Sequence, residues 1–153
     1  MALGNVVEVT PTVSTTPAYT AADQIGGIQT IRGVNENAGA DTCILSSVTI
    51  LDKGAQKSAL DIFIFDELPT VTSSDNVAVA ISDAEMEKAV AHIVVLAADY
   101  RDIGSTSSVA HLRNLNLLVK PVASGTVYAV VVARGTPTYL STTDLVFKYG
   151  FLY

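Results

Sequence analysis

The sequence predicts one all-β domain, built as a sandwich or a barrel, with a single short helix. Its length of 153 residues suits one domain. Hydrophobic residues make up 49% of the chain and charged residues 16%, against a usual charged share of about 25%. Short runs rich in Val, Ile and Thr recur about every 10–15 residues between Gly and Pro, which is typical of strands in such folds.

The first residues are rich in Thr and poor in charge. We expect residues 1–17 to form an N-terminal arm or an edge strand, and residues 18–153 to form the single sandwich domain. The arm is either a frayed terminus or a strand added to a neighbour's sheet. Its low charge favours the second alternative, which makes its valines candidates for an interface: Val6, Val7, Val9 and Val13.

Residues 19–31 contain Gly26 and Gly27, and are predicted to form two short strands or one bulged strand. The glycine pair lacks the Gly-Lys-Ser/Thr of a phosphate-binding loop, so a bulge or a close strand crossing is the preferred interpretation. By composition, residues 33–41 form a loop.

Residues 43–51 and 59–65 give the clearest strand patterns. In the first strand, Ile44, Val48 and Ile50 are predicted to share one face, with Leu45 and Leu51 on the other. In the second strand, one face is predicted to carry Leu60, Ile62 and Ile64, and the other face Phe63 and Phe65. Apolar residues on both sides indicate either a central strand that is covered on both faces or a strand with one face buried against a partner.

One helix start is visible. Ser82 and Glu85 have the spacing of a capping box, in which each side chain accepts a hydrogen bond from the other residue's backbone N–H. A short helix over residues 83–89 is predicted, followed by a strand over residues 90–97.

The last third of the chain contains three predicted strands. Residues 116–122 and 126–133 are separated by Ala-Ser-Gly, which suggests a β-hairpin. In the final strand, residues 144–153, four apolar side chains are predicted to alternate with Val146, Lys148 and Leu152: Leu145, Phe147, Tyr149 and Phe151. Tyr139 and Tyr153 are candidate interface residues because tyrosine is enriched in protein contacts, with ordinary sheet packing as the alternative.

Charge excludes some partners. The net charge is −6, and the nine Lys and Arg residues are scattered with no two adjacent. Nucleic acid and anionic membranes need clustered cations, so we expect neither as a partner. The one cysteine, Cys43, cannot form an internal disulfide, and no basic secretory signal precedes the first cation, Arg32. Both features favour synthesis in a reducing cytoplasm.

No pattern predicts an enzyme, a cofactor or a metal site. Cys43, His92 and His111 are the only material for a Cys-His pair, and a cysteine that opens an apolar strand usually behaves as a small hydrophobe. His92 is expected to be a structural residue and His111 a solvated one near a loop or an edge. Two distant histidines lack the spacing of a zinc site.

Three pairs of carboxylates are interpreted as solvated, capping or locally paired groups: Asp66 with Glu67, Asp83 with Glu85, and Asp99 with Asp102 beside Arg101. Acid–base catalysis would need two carboxyls in one cleft. Loop carboxylates such as Asp41 and Asp52 could converge on calcium, although no EF-hand spacing is present.

Several segments resemble the small jelly-roll decoration or cement proteins of tailed bacteriophage heads. They are residues 5–9 (NVVEV), 18–27 (AYTAADQIGG), 44–51, 60–66 (LDIFIFD), 125–132 (GTVYAVVV) and 135–139 (GTPTY). The resemblance extends over most of the chain and involves no catalytic signature.

The resemblance implies a jelly-roll-like antiparallel β-sandwich with one short helix. It also implies a virion protein made in the host cytoplasm, located on the capsid surface and bound to the major capsid protein lattice and to itself, as a homotrimer. The alternatives are a head–tail or tail component, or a carbohydrate-binding module. The second would need an exposed aromatic platform, which the absence of Trp disfavours.

Overall fold

The computed structural model describes residues 4–34, 42–122 and 124–153. Most of the predicted loop over residues 33–41, including Asp41, lies outside these ranges. The strands are β1 (Gly4–Val9), β2 (Gln24–Arg32), β3 (Cys43–Asp52), β4 (Leu60–Phe65), β5 (Ala89–Val95), β6 (Tyr100–Ile103), β7 (Ser107–Val119), β8 (Thr126–Ala133) and β9 (Leu145–Leu152). One turn of helix, α1, extends over Asp83–Met86.

The strands form two antiparallel sheets. Sheet 1 has the order β1-β9-β3-β7-β6, and sheet 2 has the order β2-β8-β4-β5. With β6 set aside, four strands face four strands and the chain crosses repeatedly between the sheets, which is the jelly-roll arrangement. The predicted fold class is confirmed. The predicted hairpin of residues 116–122 and 126–133 is wrong, because β7 lies in sheet 1 and β8 in sheet 2.

The main core lies between the two sheets. The four predicted core residues of β9, Leu145, Phe147, Tyr149 and Phe151, are buried, and Lys148 and Leu152 are exposed, but Val146 is buried as well. Four apolar side chains of one sheet therefore project from a single strand towards the opposite sheet. They pack in the same cluster as Ile62 and Ile64 of β4 and Ile31 of β2.

A bulge changes the predicted faces of β3. The pairing of β3 with β7 and with β9 shifts between Leu45 and Ser47. Leu45, Val48 and Ile50 are buried and Ile44 is exposed, so Ile44 does not share a face with Val48 and Ile50 as strict alternation predicts. One extra residue in a strand reverses the alternation beyond it.

Sheet 2 carries a second apolar layer on its outer side. This layer comes from residues 66–88, which we call the covering segment. Its side chains Val71, Val79, Ile81 and Met86 pack against Phe65, Val130 and Val132 of sheet 2. The prediction that β4 is covered on both faces is therefore confirmed. Its outer cover is supplied by residues from its own chain.

The helix in the covering segment is shorter than predicted and ends at Met86. Ser82 caps it as expected, since its Oγ accepts from the backbone N of Glu85 at 3.3 Å. The Glu85 carboxylate, however, accepts from the backbone N of Thr70 at 2.8 Å and pairs with Lys88. The capping box therefore forms on one side only.

Asp75 fixes the covering segment to the start of the chain. Its carboxylate accepts hydrogen bonds from Ser14 Oγ, Tyr19 Oη and the backbone N of Gly26, each at 2.6 Å. Gly26 has φ +70° and lies against Pro11, where a Cβ would clash. The glycine pair thus forms a bulge in β2 at a close chain crossing, as predicted.

Candidate interaction face

Four large apolar side chains lie exposed together on the outer face of sheet 1. They form what we call the apolar row: Val6 (65% exposed), Leu118 (65%), Leu152 (41%) and Ile44 (38%). Ile44 is paired with Leu118 of β7 on one side and with Leu152 of β9 on the other. Val6 lies on β1, next to β9. The row therefore crosses four neighbouring strands at one end of the sandwich.

The local structure explains why these residues point outward. In β1 the exposed positions alternate with half-buried ones, and in β9 Leu152 lies next to the core residue Phe151 and points to the opposite face. In β3 the bulge after Leu45 leaves Ile44 outside while Val48 and Ile50 enter the core. Gly150 opposes the bulge, and a Cβ at that position would clash with Ser47 Oγ. The small residues near Gly150 form a shallow groove between Val6 and Leu152.

The next part of this face is polar but carries little net charge. Lys148 pairs with Glu8 at 3.3 Å, and Thr49 Oγ1 lies 2.6 Å from His111 Nδ1. His111 is exposed and lies in β7 just beyond the last residue of that strand that pairs with β6, so it is at an edge of the sheet, as predicted. The apolar row therefore borders a polar band, the combination of apolar centre and polar rim that protein interfaces use.

The six predicted interface residues differ in how much of each side chain is exposed. Val6 lies in the apolar row, and Val7, Val9 and Tyr153 are half-buried against the main core. Val13 and Tyr139 are each only 1% exposed. The interface prediction for these two is wrong, because both already pack inside their own chain.

Sequence reasoning missed Ile44, Leu118 and Leu152 as surface residues. For Leu152 a signal was available, since its strand alternates cleanly and places it opposite the core residues. Ile44 and Leu118 follow only once the bulge of β3 and its register with β7 are known.

The N-terminal residues belong to the sheet of their own chain. All six residues of β1 pair with β9, from Gly4 opposite Leu152 to Val9 opposite Phe147. Of the alternatives for residues 1–17, the structure shows an edge strand for Gly4–Val9.

A second polar cluster lies on the outer side of sheet 2. Asp61 Oδ1 is 3.0 Å from His92 Nε2, and Asp61 Oδ2 accepts a hydrogen bond from Arg134 Nε. The His92 ring stacks on Phe63 with centroids 4.7 Å apart. Burial of Asp61 opposes ionisation, but the hydrogen bonds from Arg134 and His92 outweigh it, so the pKa of Asp61 lies below its usual value. His92 is therefore a structurally satisfied residue, as predicted.

The remaining candidate catalytic groups do not lie together in one site. Cys43 is buried as predicted, and its burial raises the pKa of the thiol to about 11, which disfavours the thiolate.

The carboxylates on either side of Arg101 have other partners. Asp102 forms a salt bridge with Lys57, while Asp99 accepts a hydrogen bond from the backbone N of Leu96 at 2.8 Å. The predicted local pairing with Arg101 is therefore wrong.

Asp52 is held by the backbone of its own loop. It accepts hydrogen bonds from the backbone N atoms of Gly54 and Lys57, at 3.0 and 2.7 Å. Burial raises its pKa against these hydrogen bonds, and the neighbouring Asp144 raises it further. Within residues 4–34, 42–122 and 124–153, no three His, Cys, Asp or Glu side chains are grouped to hold a metal ion.

Comparisons with known proteins give distant structural likenesses only. No known family profile matches the sequence, and no curated protein does. A solved structure of tomato aspermy virus superposes with a TM-score of 0.40 and 12% identity, over 99% of this chain and 76% of that one. A structure of desmodium yellow mottle tymovirus gives 0.31 and 10%, over 99% and 84%. At these values the likenesses assign neither a family nor a function to this chain. Within the described residues, no helix is long and apolar enough to span a membrane.

Proposed function

We propose that this chain is a structural protein of a virus particle, and specifically a decoration or cement protein that binds the outside of a phage head and turns over no substrate. The observation that carries the proposal is the apolar row on the outer face of a jelly roll. Jelly rolls occur in viral capsid domains and also in lectins and cupins. The sequence resemblance to phage decoration proteins favours the first of these.

The apolar row explains how such a protein could be held on a shell. A cluster of exposed apolar residues that crosses four strands marks a binding surface more than a scatter of single residues does. The row covers on the order of a few hundred Å², whereas a stable pairwise interface needs about 800 Å² on each partner. One row therefore gives weak binding, which fits a protein whose copies act together on a repeating lattice.

The proposed mechanism is thermodynamic linkage. A protein that binds the assembled, expanded shell and not its dissociated subunits stabilises the shell by mass action. Each Å² of apolar surface buried contributes about 25 cal/mol before the costs of ordering are subtracted. Many weak contacts would thus raise the temperature at which the shell opens.

Binding to purified shells that lack the protein tests the proposal. Leu118→Asp places a charge in the apolar row, and Leu68→Asp is the matched control, since Leu68 is an exposed leucine on the covering segment over sheet 2. We expect the wild type and the control to co-sediment with shells and raise their disassembly temperature, and Leu118→Asp to do neither. Equal binding by all three would refute the role of the row, and no binding by the wild type would refute the function.

The number and position of bound copies separate the proposed role from a head–tail or tail component. We expect immunogold labelling to cover the whole head, with copy numbers that scale with the number of capsid subunits. Label confined to one vertex or to the tail would overturn the decoration role while keeping a virion structural role.

A further inference from the structure

The fold brings together cations that are scattered along the sequence. Arg101 of β6, Arg113 of β7 and Lys148 of β9 are exposed on the outer face of sheet 1. Lys120 is exposed just past the end of β7, two residues beyond Leu118 of the apolar row. Four of the chain's nine Lys and Arg residues therefore lie on or beside this one face.

Acids are scarce on the same face. The strands of sheet 1 contain three acids, and Glu8 is the one on the outer side, where it already forms a salt bridge in the polar band. Asp52 is buried, and Asp102 lies opposite the buried Ser108 and pairs with Lys57. Four cations and one acid leave this face with a formal charge of +3, whereas the whole chain carries −6.

The other outer side of the sandwich is acidic. Residues 66–88, the covering segment over sheet 2, contain six Asp and Glu residues and one Lys. The two outer sides of the protein therefore carry charges of opposite sign, and such an arrangement orients a protein in the field of a charged surface. An anionic surface would attract the outer face of sheet 1 and repel the covering segment.

Two of the cations beside the apolar row lack a carboxylate of their own. Arg113 and Lys120 lie on either side of Leu118 along the chain. Within residues 4–34, 42–122 and 124–153, neither forms a salt bridge, whereas four other cations do. Charged groups at the rim of an apolar centre are available to pair with groups of opposite charge on a partner.

The whole outer face of sheet 1 approaches the size of a protein interface. Five strands spaced about 4.8 Å apart, each about eight residues long with a rise of about 3.3 Å per residue, cover about 600 Å². A specific interface takes about 800 Å² from each partner, and the apolar row alone supplies less than the face as a whole. The charged part of the face is therefore needed to reach an interface of ordinary size.

We infer that the surface facing the apolar row is an acidic surface of the shell protein, with carboxylates that meet Arg113 and Lys120 around an apolar centre. The inference rests on the proposed function and names the chemistry of its partner. Complementary charge accelerates association and fixes orientation more than it adds affinity. Nucleic acid fits this face less well, because the row is aliphatic and offers no aromatic ring on which bases could stack.

Carbodiimide cross-linking on purified shells tests the chemistry of the partner directly. The reagent joins a lysine amine to a carboxyl group without a spacer, so that only groups in contact react. By peptide mass spectrometry we expect cross-links from Lys120 to Asp or Glu residues of the shell protein. Lys88, on the covering segment, is the matched control and should give no link to the shell. Links from Lys120 to residues 66–88 of another copy would identify a second copy as the partner and overturn the inference.

Charge reversal measures the contribution of the two cations to binding. We expect Arg113→Glu and Lys120→Glu each to bind shells roughly two- to twentyfold more weakly, since an exposed attraction becomes a repulsion. Added salt should weaken binding of the wild type, because these charges are screened. Arg32→Glu is the control, since it reverses an exposed cation of β2 in sheet 2 and changes the net charge equally. Both test residues are exposed, so the melting temperatures should match that of the wild type.

The outcomes separate this inference from the proposed function. Shell binding that is unchanged by salt and by both reversals would overturn the inference and leave the function intact. Failure of the wild type to bind shells would instead refute the function. Binding of the wild type to vesicles of phosphatidylcholine and phosphatidylserine, or to duplex DNA, as tightly as to shells would assign the face to a membrane or to nucleic acid and overturn the inference.

Discussion

The hydroxyl of Tyr149 donates a hydrogen bond to Oε1 of Gln29 at 2.7 Å in the interior of the sandwich. Tyr149 lies on β9 of sheet 1 and Gln29 on β2 of sheet 2, so one polar contact joins the two sheets inside an apolar core. Gln29 Nε2 has no hydrogen-bond partner among the described residues. Buried polar groups are costly when left unpaired, which makes this pair sensitive to single substitutions.

Tyr149→Phe should destabilise the protein by about 1–3 kcal/mol, because it removes the only hydrogen-bond partner that the described residues offer to the buried Gln29 side chain. Gln29→Met in the Tyr149→Phe background should recover part of this loss, since both polar groups are then removed. Urea unfolding of the two single variants and the double variant measures the coupling. Free energies that add within about 0.5 kcal/mol would contradict it.

Asp61→Asn should destabilise the protein at pH 7 by about 1–3 kcal/mol, because Arg134 and His92 lose a charged acceptor. A carboxyl whose pKa is lowered by folding adds stability above its unfolded pKa of about 4, and that contribution is lost as pH falls through the folded pKa. The gap between wild type and variant should therefore be smaller at pH 3 than at pH 7. Urea titrations at both pH values check this, with Asp66→Asn as the control, and an equal gap at both would refute it.

Gly150→Ala should destabilise the protein by about 1–3 kcal/mol, since the new methyl group would clash with Ser47 Oγ at the bulge of β3. Ser47→Ala removes that oxygen and should restore most of the stability in the double variant. Thermal melts of the three proteins test the pair. Failure of Ser47→Ala to rescue would show that the backbone, and not the hydroxyl, limits this position.

Ile64→Ala should cost about 2–5 kcal/mol, because Ile64 is fully buried between the sheets. Phe63→Ala should cost less, since Phe63 is only half-buried and stacks on the exposed ring of His92. Denaturant unfolding compares the two. A larger loss for Phe63→Ala would mean that the outer layer contributes more stability than the main core at this strand.

The sequence was sufficient for the fold class and for strands with clean alternation, such as β9 and β4. It failed where the outcome depended on pairing between distant segments. The faces of β3 depend on a bulge whose position is set by two partner strands. The strands β7 and β8 are close in sequence, and the residues between them are typical of a turn. They nevertheless lie in different sheets, one on each side of the core.

The candidate face was only partly predictable for the same reason. Val6 could be proposed from its apolar, low-charge segment, whereas Ile44 and Leu118 become neighbours of Leu152 only through register. Tyr139 shows the opposite error, because the enrichment of tyrosine in protein contacts suggested an interface residue, whereas its ring is buried and packs near Tyr19.

The pairing of Gly4 with Leu152 has a practical consequence for anyone who works with this protein. Gly4 and Leu152 lie at one corner of the sandwich, next to Ile44. A purification tag or fluorescent protein fused next to either residue would start at the border of the surface that we expect to meet the shell, and would mask it sterically. A label introduced in the turn after β3, near Lys53, would avoid that corner.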